Sequence, residues 1–242
     1  MAFQYHWWDL DDTDFMAVYY LVTRFALEDH TIEDWHDFER KMPHMAYAWT
    51  VATRFKAMEQ LFVDLRVVPQ MLGVKELPLN SEVREINKYE WLKSATDLAL
   101  YRFSSIRDAS LHFVNDLLEL GIDDPKFKNL KKVIEPTHPK LVTLLQEIGE
   151  CGRSVRDDRN LRAHEGAIRL TEDDELFKFA SVAEASGRPS VDVDTDTTYQ
   201  EACEKLYSRI VSETDALLTK VKELVDSLLQ EFDGRYAAKK RD

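Results

Sequence analysis

The chain has 242 residues, 44% of them hydrophobic and 32% charged, with only seven glycines and seven prolines; this globular balance argues against disorder and suffices for one principal domain with a substantial core. A net charge of −13 excludes indiscriminate polyanion binding, which depends on neutralising many phosphates with Lys and Arg, so any RNA contact must be local. The opening MAFQYHWWDLDD has neither a basic n-region nor an apolar h-region, and no stretch approaches the ~20 apolar residues that cross a bilayer. A cytoplasmic protein is expected, with Cys151 and Cys203 as reduced, partly buried thiols because they are too few for a disulfide framework or a four-cysteine zinc site.

In chain order, Phe15, Val18, Tyr19, Val22, Phe25 and Ala26 follow a helical spacing, and IEDWHDFERKM after Thr31 reads as a second helix beyond a turn. Pro43 opens a helix whose stripe is Met45, Trp49, Ala52, Phe55, Met58, Glu59 and Phe62, ending before Pro69. A long helix is expected from Ser81 to about Leu120, bent near Lys88, with Leu92, Ala99, Phe103, Ile106, Ser110, Phe113 and Leu117 on one side and Gly121 as its stop. After a loop containing Asp123, Asp124 and Pro125, the short piece KFKNLKKVI leads to E-P-T-H-P, and Pro139 starts the helix that runs into an arginine-rich segment.

Residues 166–198 change character, since LFKFASVA and VDVDTDTTY are rich in β-branched and aromatic residues and are separated by Gly187-Arg188-Pro189; a small β-hairpin or irregular insertion is expected there. From about Thr198 to Phe232, Cys203, Tyr207, Ile210, Leu217, Val221, Leu224, Leu228 and Phe232 recur near heptad spacing, which predicts a long amphipathic helix followed by the polar tail AAKKRD. The expected architecture is all-α: an N-terminal helical extension over 1–42, a helical bundle over 43–232 and a polar tail over 233–242.

Chemistry concentrates in Arg159-Asn160-Leu161-Arg162-Ala163-His164. Arginine offers a permanently charged fork for a phosphate, and histidine exchanges protons near neutral pH. Arg153 and Arg156 before the segment and Arg162 within it are candidate substrate-binding cations in an arginine-rich patch that extends to Arg169, although Asp157, Asp158 and Glu165 offer ion pairs as well. If one helix continued from Pro139, Leu141, Leu145, Ile148, Gly152 and Val155 would form a stripe with Arg159 near its centre. Asn160 and His164 would then share a neighbouring ridge, with Arg159 and His164 ~140° apart. A single rigid helix need not bring those two to one phosphate, which a fraying helix end or a second protomer would do. The opposing reading pairs Arg159 with a carboxylate from another helix and leaves His164 as a helix-end residue.

The pattern R-N-L-R-A-H resembles the signature of HEPN domains, in which arginine and a polar residue are followed by three residues and histidine. That resemblance implies a core similar to a four-helix bundle, covering mostly residues 43–232, and a homodimer in which the motifs of two chains come together. It further implies a metal-independent endoribonuclease of toxin or phage-defence type, with an antitoxin or nucleotidyltransferase as partner. His164 would move protons, Arg159 would stabilise charge on the phosphoryl group, and Asn160 would orient either by hydrogen bonds.

A second stretch, Arg107-Asp108-Ala109-Ser110-Leu111-His112, has the same spacing, but its helix leaves Asp108 and His112 opposite the apolar stripe. Glu33-x-x-His36 and Glu135-x-x-His138 are the two Glu-x-x-His pairs, and the latter lies between prolines, so a di-iron bundle site is disfavoured. No glycine-rich phosphate loop or nucleophile elbow occurs, and neither a metal nor a cofactor is expected. The rival function is a non-catalytic helical module for dimerisation or partner binding, which the acidic charge favours.

Overall fold

The computed structural model describes residues 20, 24, 34–75, 77, 86–153, 170–188 and 193–241, and no strand occurs among them. Their helices are α1 (Trp35–Lys41), α2 (Pro43–Leu65), α3 (Val67–Leu72), α4 (Lys88–Leu117), α5 (Phe127–Ile134), α6 (Pro139–Glu150), α7 (Asp174–Ala185) and α8 (Thr195–Lys239). The all-α architecture is as the periodicity predicts. The helical spacing over 13–29 lies outside the described residues, apart from Tyr20 and Arg24.

The helix starts follow local chemistry. Asp34 caps α1, its Oδ1 accepting the Asp37 N–H at 2.8 Å, and Asn87 caps α4, its Oδ1 accepting the Glu90 N–H at 3.0 Å. The expected bend near Lys88 is therefore the start of α4. Pro69 lies in the first turn of α3, where its missing N–H leaves no helical bond unmade.

Several boundaries differ from expectation. The stop of α4 falls at Leu117 rather than Gly121: Glu119 takes the left-handed conformation at φ +52°, with Leu120 N–H bonded to Asn115 O and Glu119 N–H to Asp116 O. A non-glycine residue there costs about 1–2 kcal/mol. Ion pairs from Glu119 to Lys239 at 2.8 Å and Arg235 at 3.5 Å work against that cost.

The β-hairpin or irregular insertion expected within 166–198 is corrected by α7 over Asp174–Ala185. LFKFASVA buries Phe177, Ala180 and Ser181, which lie three and four apart, so its period is helical in spite of its composition. Asp174 and Glu175 suit the N-terminal dipole. Gly187 at φ +74° closes the C-terminus, with Arg188 N–H bonded to Ala183 O and Gly187 N–H to Glu184 O. The last helix also outruns its expected span, continuing through AAK, because Tyr236 stacks on Phe232 at 6.0 Å.

The chain divides into two compact units, one of residues 1–8, 63–104 and 152–216, the other of 9–62, 105–151 and 217–242. In the first, Tyr89 meets Phe177 edge-on at 6.1 Å, Trp91 donates to Met71 O at 2.8 Å, and Tyr199 donates to Val74 O at 3.0 Å. Lys88 is buried there and donates to Glu184 at 2.7 Å, and it pairs with Asp196 at 2.7 Å. Burial alone would depress its pKa, but the carboxylates outweigh that and hold it above the ordinary 10.5. Lys88→Ala is expected to cost about 1–2 kcal/mol in urea denaturation, less than a fully buried pair because Asp196 remains solvated. With the folded value raised, this stabilisation is fully present below pH 10.5 and disappears as pH climbs beyond it. A mutant penalty that vanished on acidification towards pH 8 would refute the assignment.

In the second unit Tyr47 stacks on Phe232 at 5.6 Å and donates to Leu117 O at 2.9 Å, while Phe55 meets Phe113 at 6.1 Å. Ser110, fully buried, bonds back to Ile106 O and reaches Met58 Sδ at 3.4 Å. α5 is in contact with α6, and Leu130 and Ile134 of α5 are buried. No helix among the described residues is long and apolar enough to cross a membrane.

Candidate functional site

The segment with the arginine and histidine follows α6. Leu141, Leu145 and Ile148 of α6 are buried as the stripe predicts. The helix nevertheless stops at Glu150: Cys151 is extended (φ −57°, ψ 137°) and Gly152 is left-handed at φ +66°. This corrects the expected single helix from Pro139. A left-handed residue ends the α register, so the phase counted from Leu141 does not carry forward to Arg159, nor does an orientation derived from it. Arg153 is exposed beyond the turn, and Arg156, Arg159, Asn160, Arg162 and His164 lie outside the described residues.

What the structure does describe is how both ends of that segment are held. At the first end the Gly152 N–H donates to Glu213 Oε2 at 2.8 Å, and a side chain on Gly152 would place its Cβ 2.7 Å from Cδ1 of the Phe103 ring. Only glycine combines that backbone conformation with that approach. At the other end Asp174 accepts from Leu170 N–H at 2.8 Å and Thr171 N–H at 3.3 Å, and its second oxygen accepts the Tyr89 hydroxyl at 3.0 Å. Burial, then the Asp174 carboxylate, pushes the Tyr89 pKa up to about 12, so the phenol remains a donor throughout the neutral range. Phe103 and Tyr89 both belong to α4, about 21 Å apart along its axis at 1.5 Å per residue. Four residues that sequence reasoning did not single out, Phe103, Glu213, Tyr89 and Asp174, thus frame the segment. Gly152 within an otherwise helical pattern was the one available signal.

Near the second anchor a hollow is lined by Leu170, Thr171, Asp173, Asp194, Glu201 and Lys205, with Glu172 beside them. Four carboxylates against one ammonium make it repel phosphate, so it is not the anion site. Hydrogen bonds from Thr197 hold the Asp194 carboxyl below its ordinary range.

The Arg107 motif is described in full: Asp108 is exposed, Arg107 and His112 are half-buried, and Arg107 Nε lies 3.6 Å from where a Cβ on Gly149 would be. The guanidinium therefore lies against bare backbone of α6. Among the described residues no group of three or more His, Cys, Asp or Glu side chains is arranged to hold a metal ion. His36 pairs at 3.6 Å with Glu39, and His138 with Glu231 at 3.2 Å. Neither Cys151 nor Cys203 is in a disulfide, and burial pushes the Cys203 thiol up to about 11, which makes it inert at neutral pH.

A sequence profile of the Cthe2314-like HEPN family matches residues 79–222, more than half of the chain and inclusive of both arginine–histidine stretches. No curated protein and no solved structure matches the chain.

Proposed function

Since the chain belongs to the Cthe2314-like HEPN family, we propose that it is a metal-independent endoribonuclease whose catalytic residues are Arg159, Asn160 and His164. The observation that carries this reading is the position of R-N-L-R-A-H inside the matched segment, in the stretch that follows the Gly152 turn. RNA supplies its own nucleophile. His164 takes the proton of a 2′-hydroxyl, O2′ bonds to phosphorus, and the P–O5′ bond breaks. The products are a 2′,3′-cyclic phosphate and a 5′-hydroxyl that regains a proton. Arg159 offsets the charge that grows on the phosphoryl oxygens, and Asn160 hydrogen-bonds to the phosphate or the imidazole. Arg153, Arg156 and Arg162 contact flanking phosphates as fixed cations.

The test is incubation of single-stranded RNA with the protein in excess chelator. Fragments ending in cyclic phosphate support the mechanism, and intact RNA rejects it. Uncontrolled RNA cleavage arrests a cell, so a toxin or phage-defence role with a neutralising antitoxin or nucleotidyltransferase partner is the setting that this chemistry fits.

Arg159 and His164 need a second contributor if they are held apart on one chain, so a homodimer that brings two motifs together is part of the proposal. Sedimentation at micromolar concentration is expected to report a dimer, and a monomer there rejects the composite site. The second reading, a non-catalytic module for dimerisation or partner binding, is favoured by the net charge of −13. A dimer that leaves RNA intact would establish it.

A further inference from the structure

Residues 126–140 carry five lysines and one carboxylate, Glu135, in a chain that is strongly acidic as a whole. The lysines are Lys126 at the N-cap of α5, Lys128, Lys131 and Lys132 on α5, and Lys140 in the first turn of α6. Lys126 pairs with Asp124 at 3.0 Å, both side chains nearly three-quarters exposed, and Lys131 pairs with Glu135 at 3.5 Å. Solvated pairs of this kind hold their partners weakly. Lys128, Lys132 and Lys140 are exposed and make no hydrogen bond or ion pair among the described residues.

Helix electrostatics account for Lys131 and Lys132, which lie in the last turn of α5, but not for Lys126, Lys128 or Lys140. Lys126 stands where a capping Ser, Thr, Asp or Asn is preferred, and neither α5 nor α6 has an acidic residue in its first turn or a side-chain cap. Lys128 and Lys140 therefore add positive charge at the positive ends of two helix dipoles. Lys128 also repels Lys131 and Lys132 across one helical turn. The helix forms in spite of them, because Leu130 and Ile134 are buried in the core. Lys126, Lys128 and Lys140 thus work against the helix starts that display them, a placement that a ligand-facing surface explains and folding does not.

We propose that this lysine face is a docking surface for the phosphate backbone of RNA, separate from the arginine–histidine segment; the choice of RNA rests on the nuclease reading above. Lys acts as a point charge towards phosphate, and a row of such charges reads backbone without sequence. Insertion into a lipid surface does not fit, because Leu130 and Ile134 are consumed in the fold and Val133 alone of the apolar residues on α5 is exposed. The acidic groups that face this surface are Asp124, Glu135 and, through His138, Glu231.

The experiment is fluorescence anisotropy of a labelled single-stranded RNA in chelator, using the full chain with His164→Ala so that cleavage does not intervene. Adding Lys128→Glu, Lys132→Glu and Lys140→Glu is expected to weaken binding at least about tenfold, and to lower the slope of log K against log salt by about two, since each lost contact removes roughly 0.7 on a single strand. Lys128→Glu alone should raise Tm while weakening RNA binding, opposite signs that a merely structural lysine would not produce. The three Lys→Gln replacements repeat the test if the charge reversals disturb the circular dichroism spectrum.

Unchanged affinity and slope, or no RNA binding by the parent, overturns the proposal. So does binding of phosphatidylserine vesicles, or competition by polyglutamate as effective as that by RNA at equal charge. Wild-type cleavage is scored separately: cleavage with an indifferent lysine variant removes the surface and leaves the nuclease, whereas lysine-dependent binding without cleavage does the reverse.

Discussion

His164→Ala is expected to lower RNA cleavage by at least about 10²-fold, because a positioned proton-transfer group contributes roughly 10²–10⁴ to such a reaction. The loss should persist in excess chelator and fall on turnover rather than on RNA binding. Activity of the wild type should rise through roughly pH 6.5, where an unperturbed imidazole loses its proton and becomes a base. Arg159→Ala should cost a comparable factor, about 10²–10³, by removing charge stabilisation at the phosphoryl oxygens. His112→Ala serves as the internal control: it belongs to a segment with the same spacing, and its loss is expected to leave cleavage and its pH profile in place. A His164→Ala protein that cleaves as fast as wild type ends the mechanism, whatever the control does.

Gly152→Ala is the larger structural perturbation and should destabilise the protein by about 1–3 kcal/mol. Two terms act together. At φ +66° an alanine is strained wherever it points, and here its Cβ would come 2.7 Å from the Phe103 ring, whose buried position leaves little room to retreat. Urea denaturation checks this through a lower midpoint at unchanged m-value. Phe103→Ala in the Gly152→Ala background should then cost less than it does in wild type, because it relieves the clash. Purely additive losses would show that the ring and the turn are not in contact. Because Gly152 directly precedes the arginine-rich segment, RNA cleavage should fall more than the lost stability accounts for.

The apolar stripes were legible without coordinates. Leu92, Ala99, Phe103, Ile106, Ser110, Phe113 and Leu117 are all buried on α4, as their spacing requires. Helix ends were less legible, since they depend on single backbone conformations. Gly121 was a reasonable stop for α4 and is left-handed at φ +65°, yet the helix ends earlier, at Leu117, with Glu119 also left-handed and its ion pairs to Arg235 and Lys239 working against the cost. LFKFASVA looked like a strand by composition and folded by period, because Phe177, Ala180 and Ser181 have a core to meet.

The chemistry divides in the same way. The identities of Arg159, Asn160 and His164, and the family to which their spacing points, belong to the sequence by itself, as does the all-α class, because hydrophobic period and residue type are local properties of the chain. Where α6 ends was decided only by tertiary structure. The turn at Gly152 exists through a carboxylate on α8 that takes its N–H and a ring on α4 that closes on its Cα, and the far end of the segment is held by Asp174 and Tyr89. Those partners are distant in sequence and leave no mark on the local pattern, so a helix counted forward from Leu141 runs past the point, Glu150, at which α6 stops.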